Sequence, residues 1–155
     1  MVKAPVLRQS GMNAEHEAVK KVILELFEAA RNKDFETLSL VNKWDERYSK
    51  FSDVPPLERL EGERARHFDE VMYTNITDFT CLVEDFKAEV YERCAVATCY
   101  LRYGGIFVND YSFEATRLSA RSRATFVLVL DRGRWRIVHQ HLSQMSSGEP
   151  VYGEE

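Results

Sequence analysis

From Asn13 to Asn32 apolar residues recur at helical spacing. Val19, Val22, Ile23, Leu26, Phe27 and Ala30 form one stripe, and Glu and Lys fill the other face. Steps of three and four residues put side chains on one side of an α-helix, so the segment predicts an amphipathic helix. Asp34 is placed to cap a short second helix in which Phe35, Leu38 and Val41 share a side. Residues 1–12 have no period and contain Pro5 and Gly11, and are expected to be a flexible arm. The segment NKWDERYSKFSDVPP is aromatic and polar, and its closing pair Pro55–Pro56 favours extended or turn backbone. Gly62 then precedes a third helix, EGERARHFDEVMY, with Ala65, Phe68, Val71 and Met72 on one face.

After Asn75 the period moves toward two. ITDFTCLVEDFKAEVYE predicts one long strand with a bulge near Asp85, and a turn at Glu92 and Arg93 leads to a second strand, CAVATCYLRY. The pair Gly104–Gly105 opens a stretch expected to be an excursion or a long hairpin tip. SRATFVLVL is a third strand, Asp131, Arg132 and Gly133 form a tight turn, and RWRIVHQHLS is the fourth. The tail 144–155 is polar and acidic and is expected to be disordered. Helices followed by locally joined antiparallel strands predict an α+β domain over 13–143. Long, strongly twisted strands would curl around the first helix and leave a cone-shaped cavity.

Composition narrows the function classes. The chain has 155 residues, 45% of them hydrophobic and 12% aromatic, which suits one folded domain and excludes disorder as a description of the whole. A net charge of −4 argues against a general nucleic-acid binder, and no nucleic-acid partner is expected. No apolar run is long enough to span a bilayer, and the first residues lack an apolar core of signal-peptide length, so a cytoplasmic protein without a membrane partner is expected. Cys81, Cys94 and Cys99 are odd in number and make no C-x-x-C pair, so they are expected to be reduced packing residues.

Three stretches carry a family likeness: ELFEAARNKDFETL across the first two helices, LEG before the third, and RGRWRIVHQHLS at the closing hairpin. With Trp135, Val138, His139, His141 and Ser143 in the last of them, the chain resembles the nuclear transport factor 2-like superfamily. The likeness is to the branch holding SnoaL-like and calcium/calmodulin-dependent kinase II association domains. One departure is Lys33, where the family usually has Gly. The resemblance implies a curved sheet around a hydrophobic-lined cavity and a homodimer formed through the sheet face. Its members include isomerases, dehydratases, cyclases, transport adaptors and assembly domains, so the fold alone does not decide the function.

Asp53, in FSDVPP, falls near where steroid-isomerase relatives place their general base. The partners differ, because Leu26 and Phe27 stand where a tyrosine donor would be needed and the third strand offers no aspartate before Asp131. Steroid-type isomerisation is therefore not expected, and a plain turn residue before proline is the alternative for Asp53. His139 and His141 are two apart on a strand and share a face. They are candidates for acid/base work, though Trp135 and Ile137 have the same parity, so a packed pair is the alternative. A third metal ligand at a recognisable spacing is missing, and no metal or other cofactor is expected.

Arg102 is in phase with Tyr100, and the assembly-domain relatives have an arginine in the matching position lining a deep pocket. Arg121 and Arg123 on the next strand share a face. Together the three could hold a small polar or anionic ligand, since guanidinium makes forked contacts to carboxylate or phosphate. The alternative is a solvated face with ion pairs to Glu84 or Glu89. Trp44, Tyr48 and Phe51 gather near the expected cavity mouth as core residues or as walls for a flat ligand.

Two functions follow. One is a small-molecule pocket catalysing proton transfer, of isomerase, dehydratase or cyclase type, with Asp53 or a histidine as base and Tyr48 or Arg102 steadying the developing charge. The other is a non-catalytic assembly domain with an anion-accepting pocket. An acid/base pair facing the cavity at hydrogen-bonding reach separates them.

Overall fold

The computed structural model describes residues 3–108 and 114–145. Helix α1 spans Lys3–Arg31, α2 Phe35–Val41 and α3 Gly62–Asn75. The strands are β1 Ser49–Phe51, β2 Arg59–Glu61, β3 Ile76–Tyr91, β4 Cys94–Val108, β5 Ala115–Asp131 and β6 Arg134–Gln144. Helix α1 runs back through most of the segment expected to be an arm. Pro5 falls in its first turn, where a missing backbone N–H breaks no helical bond. Of the expected acidic tail, residues 146–155 lie outside the described residues.

The strands form one curved mixed sheet in the order β2-β1-β6-β5-β4-β3, with the helices ahead of it in the chain, an α+β cone. Six strands stand where four were expected. β1 and β2 have three residues each, too few to show a period, and β1 runs parallel to β6. Of the two alternatives after Gly104 the long hairpin holds, and its strands reach further than expected: β4 continues to Val108 and pairs with β5 from Ala115. The core between helix and sheet is built from Val19, Ile23 and Leu26 of α1 against Leu101, Phe126, Leu128 and Ile137, all fully buried.

Irregularities in the strands decide which side chains enter the cone. The register of β3 shifts between Thr77 and Thr80 and again between Glu84 and Lys87, with Asp78 and Asp85 at φ 53° and 50°. The second of these is the bulge expected near Asp85. A third shift matters more. Val127 faces His139 while Leu128 faces Ile137, so Val138 is an extra residue in β6. A bulge of one residue exchanges the two faces of a strand. Trp135 and Ile137 point inward before it, and beyond it Gln140 is buried while His141 is exposed. The shared parity of the histidines with Trp135 and Ile137 therefore does not hold.

Lys33 has φ 55°, the left-handed backbone that favours glycine, which accounts for the departure from the family pattern being conspicuous. Its side chain makes contacts that a glycine could not. The ammonium donates to the carbonyls of Tyr73 at 2.5 Å, Thr74 at 3.2 Å and Ile76 at 2.5 Å, at the end of α3. Helix C-terminal carbonyls lack intrahelical partners and carry partial negative charge, so a cation there is favourable.

A buried carboxylate site under helix α3

Strand β1 is short, but its neighbours hold it firmly. Lys50 at its centre pairs in register with Leu60 of β2 and Gln140 of β6. Alternation along the strand sends Tyr48 and Lys50 into the cone and Ser49 and Phe51 to the outer face. The chain then leaves the sheet, and Asp53 stands on the loop before Pro55–Pro56. Helix α3 closes the space from the other side. Asp69 falls in phase with Ala65, Phe68 and Met72, so the helix carries a carboxylate on its inward face, and Asp69 is 2% exposed.

A carboxylate so placed needs partners. Lys50 Nζ donates to Asp69 Oδ1 at 2.6 Å, and the Tyr48 hydroxyl donates to Oδ2 at 3.3 Å. Gln140 Nε2 in turn donates to the Tyr48 oxygen and to Asn42 Oδ1, both at 2.9 Å. Asn42, Tyr48, Lys50, Asp69 and Gln140 thus form one buried polar chain.

Asp53 lies at the other side of the same cavity. The hydroxyls of Tyr103 and Ser122 both donate to its Oδ2. Burial, followed by the neighbouring Asp53, pushes the Tyr103 phenol well up, so it keeps its proton and remains a donor. Tyr73 and Tyr48 are pushed up too, first by burial and then by the charge of Asp69. Lys50, Asp53, Asp69, Tyr73 and Tyr103 line the cavity together with apolar Val54, Phe68, Met72, Ile76, Phe79, Leu118 and Leu142. The room open to the centre of a water-sized sphere is about 60 Å³. One water needs roughly 10–15 Å³ on that measure, so the space holds a few waters or a ligand of a few atoms.

The residues expected from sequence divide into two groups. Asp53 lines the cavity, and Tyr48 is fully buried behind Asp69. Trp44 does not line the cavity but packs against the core beside Tyr48, with the Arg66 guanidinium over its ring at 5.5 Å. His139 and His141 are on the outer face, where both rings meet Phe51 and Ser49 Oγ lies 2.8 Å from His139 Nδ1. Burial, and then the nearby His141, lower the His139 pKa.

Arg102, Arg121 and Arg123 also face outward. Arg102 and Arg121 are opposite one another in register, with Glu84 at 3.7 and 3.9 Å and side chains 61% and 46% exposed. Arg121 stacks on Tyr100 at 5.3 Å, and Arg123 donates to Ser143 Oγ at 2.6 Å. The expected placement of these arginines and Tyr100 around the pocket is corrected: inward positions of β4 and β5 are held by Ala97, Cys99, Leu101, Ser122 and Ala124, and the arginines alternate with them. Cys81 and Cys99 behave as packing residues, their thiols pushed up to about 12 by burial.

Sequence reasoning missed Lys50, Asp69, Tyr103, Ser122 and Gln140. Two of them left a signal. Asp69 sits on an apolar helical stripe, and Lys50 alternates with Ser49 and Phe51 in phase with Tyr48.

A family model for the SnoaL-like domain matches residues 19–147. The chain belongs to the SnoaL-like domain family. No curated protein matches the SnoaL-like chain. Solved structures do. A candidate dehydratase of the NTF2-like family from Streptomyces avermitilis is 19% identical, with TM-score 0.73 over 87% of this chain and 99% of that one. An NTF2-like superfamily protein from Salmonella enterica is 17% identical, with TM-score 0.71 over 90% and 97%. The association domain of C. elegans CaMKII is 22% identical, with TM-score 0.65 over 86% and 98%. At these identities the SnoaL-like chain shares their fold. Among its described residues, no helix is long and apolar enough to cross a membrane.

Proposed function

We propose that this SnoaL-like chain is a proton-transfer enzyme of isomerase, dehydratase or cyclase type, acting on a small molecule in the cavity, with Asp53 as the acid/base group. The observation that carries the reading is the pair of hydroxyls on one oxygen of Asp53. They fix the carboxylate in one orientation inside a largely apolar space, which leaves Oδ1 to exchange a proton with a ligand. Tyr103 and Ser122 are positioning residues in this scheme. The family likeness to a candidate dehydratase supports it. The histidines and arginines, on the other side of the sheet, take no part in the chemistry.

The test is exchange of carbon-bound hydrogen for solvent deuterium across a panel of small carbonyl compounds and hydroxy-carbonyl compounds, followed by NMR. Wild type should exchange at least one of them, and Asp53→Asn should lose about 10²–10⁴-fold of that rate. Equal rates in both proteins would remove Asp53 from the chemistry.

A second copy of the chain covers the outer face of the sheet. Half-buried Val96, Val127 and Val129 and exposed Leu82 lie there without cover among the described residues. The likeness to kinase association and hub domains supports self-association. Sedimentation at micromolar concentration should find a dimer, and a monomer would sink this part.

A further inference from the structure

We propose that the acidic segment 146–155 of this chain docks on its own outer sheet face, with Glu149, Glu154 and Glu155 paired to Arg102, Arg121 and Arg123.

The outer face has two ends of different chemistry. Toward the turns at Glu92–Arg93 and Asp131–Gly133, Val96 stands opposite Val127 and Cys94 opposite Val129. Toward the other end, Tyr100 stands opposite Arg123 and Arg102 opposite Arg121. Glu84 of β3 lies 3.7 Å from Arg102 Nε and 3.9 Å from Arg121 Nε, so one carboxylate serves two guanidinium groups beyond hydrogen-bonding distance. Arg123 donates to the neutral Ser143 Oγ. Three guanidinium groups around Glu84 make this end of the face positive, in a chain whose net charge is −4.

The counter-charge is in the same chain. Residues 146–155, SSGEPVYGEE, contain Glu149, Glu154 and Glu155 and no Lys or Arg, so three of the four net negative charges fall there. The described chain leads directly to the arginines. Ser143 is opposite Arg123, and the Met145 N–H donates to the Arg121 carbonyl at 2.7 Å. Arg121 and Arg102 are then one and two strands away from Met145, about 5 and 10 Å. Glu149 follows Met145 by four residues, an extended reach of about 13 Å. Gly148 permits the chain to turn back over the face, and Pro150 holds Glu149 in extended backbone.

A second copy does not suit this end. A two-fold contact that brought the arginine rows together would set like charges against like. The valines at the opposite end carry no such charge, so the second copy and the acidic segment take different ends of the face. Tethering gives the segment an effective concentration of roughly millimolar order, which a free anion has to match. Exposed ion pairs are individually weak and are screened by salt, so the docking is reversible and depends on ionic strength.

The experiment is ¹⁵N relaxation of the full chain. At about 20 mM salt the backbone order parameters of residues 149–155 should exceed about 0.6, and at about 500 mM salt they should fall below it. Glu149→Gln/Glu154→Gln/Glu155→Gln should release the segment at low salt and shift the Nε–H resonances of Arg102 and Arg121. Arg102→Gln/Arg121→Gln/Arg123→Gln should release it equally. Arg31→Gln/Arg59→Gln/Arg64→Gln, the same charge change at exposed ion pairs on α1, β2 and α3, should leave it docked. Circular dichroism checks folding, and the glutamate variant, which alters no described residue, carries the test if an arginine variant does not fold. In a last arm the labelled Arg102→Gln/Arg121→Gln/Arg123→Gln protein is co-refolded with unlabelled wild type, and its segment should stay released.

Order regained in that mixture would assign the docking to the face of the second copy and overturn docking in cis. Order parameters below about 0.6 in wild type at low salt would overturn the proposal outright. So would order that survives the glutamate variant, or equal release by the control arginine variant.

Discussion

Lys50 and Asp69 meet at 2.6 Å with side chains 7% and 3% exposed, one from a three-residue strand and the other from the inward face of α3. The pair ties helix to sheet at the cavity wall. Removing one partner of a buried ion pair strands the other charge, which typically costs about 3–5 kcal/mol, whereas replacing both by apolar residues of similar volume is often neutral or stabilising. Asp69→Ala should therefore lower the unfolding free energy by about 3–5 kcal/mol, and Lys50→Met/Asp69→Leu by much less. Urea denaturation checks both. Equal losses in the two variants would mean that packing, not charge, sets the cost.

Lys33 offers a separable pair of effects. Its φ of 55° is unfavourable for a side chain by roughly 1–2 kcal/mol, and its ammonium sits on three carbonyls at the end of α3. Lys33→Ala loses the carbonyl contacts and keeps the strained backbone. Lys33→Gly loses the contacts and relieves the backbone. Both should be less stable than wild type, with Lys33→Ala the worse by about 1 kcal/mol. A Lys33→Gly protein more stable than wild type would show that the carbonyl contacts contribute little.

His139 predicts a pH dependence. Burial, and then the charge of His141, hold its folded-state pKa below the ordinary 6.5. The unfolded chain then binds the proton more readily than the folded one. Stability from this source is fully present above about pH 6.5 and is lost as the pH falls through the lowered pKa. The slope of unfolding free energy against pH just below 6.5 should be positive in wild type and shallower in His139→Gln. A slope unchanged by the substitution would assign the dependence to other groups.

Long, regular stretches of the chain were legible from pattern alone. The stripe from Val19 to Ala30, the Asp34 cap accepting from Thr37 N at 3.1 Å, and the turns at Glu92–Arg93 and Asp131–Gly133 follow local rules that tertiary contacts do not override. Of the candidate site, Asp53, which lines the cavity, and Tyr48, which donates to Asp69, were legible. Which face a residue takes depends on every bulge before it, and one extra residue at Val138 moves His139 and His141 to the outside and Gln140 to the inside. The same limit applies to Arg102, whose phase with Tyr100 is correct but whose face is fixed by the smaller Cys99 and Leu101 packing inward. Lys50 and Asp69 have meaning only as a pair, and nineteen positions separate them.

The Gly104–Gly105 pair, expected to open an excursion or a long hairpin tip, lies within the strands at a close approach between them. A Cβ at Gly105 would lie 2.8 Å from Ile76 Cγ2, 3.0 Å from the Thr77 carbonyl oxygen and 3.4 Å from Phe79 Cα. The first of these could rotate aside, but the other two are backbone atoms of the β3 irregularity between Thr77 and Thr80. Ile76 and Phe79 line the cavity, so displacement of that segment reaches the site. Gly105→Ala should destabilise by about 1–3 kcal/mol, as overpacking does, and should also weaken binding of a cavity ligand. Gly133→Ala is the matched control. Its φ is 80° and nothing lies within 4 Å of the added carbon, so it carries backbone strain of about 1–2 kcal/mol without touching the cavity. Unfolding free energies, together with titrations of the two variants with a compound whose hydrogen the wild type exchanges, decide the matter. Comparable stability losses with ligand binding impaired only in Gly105→Ala are expected, and unimpaired binding in Gly105→Ala would show that the β3 irregularity moves without the cavity wall.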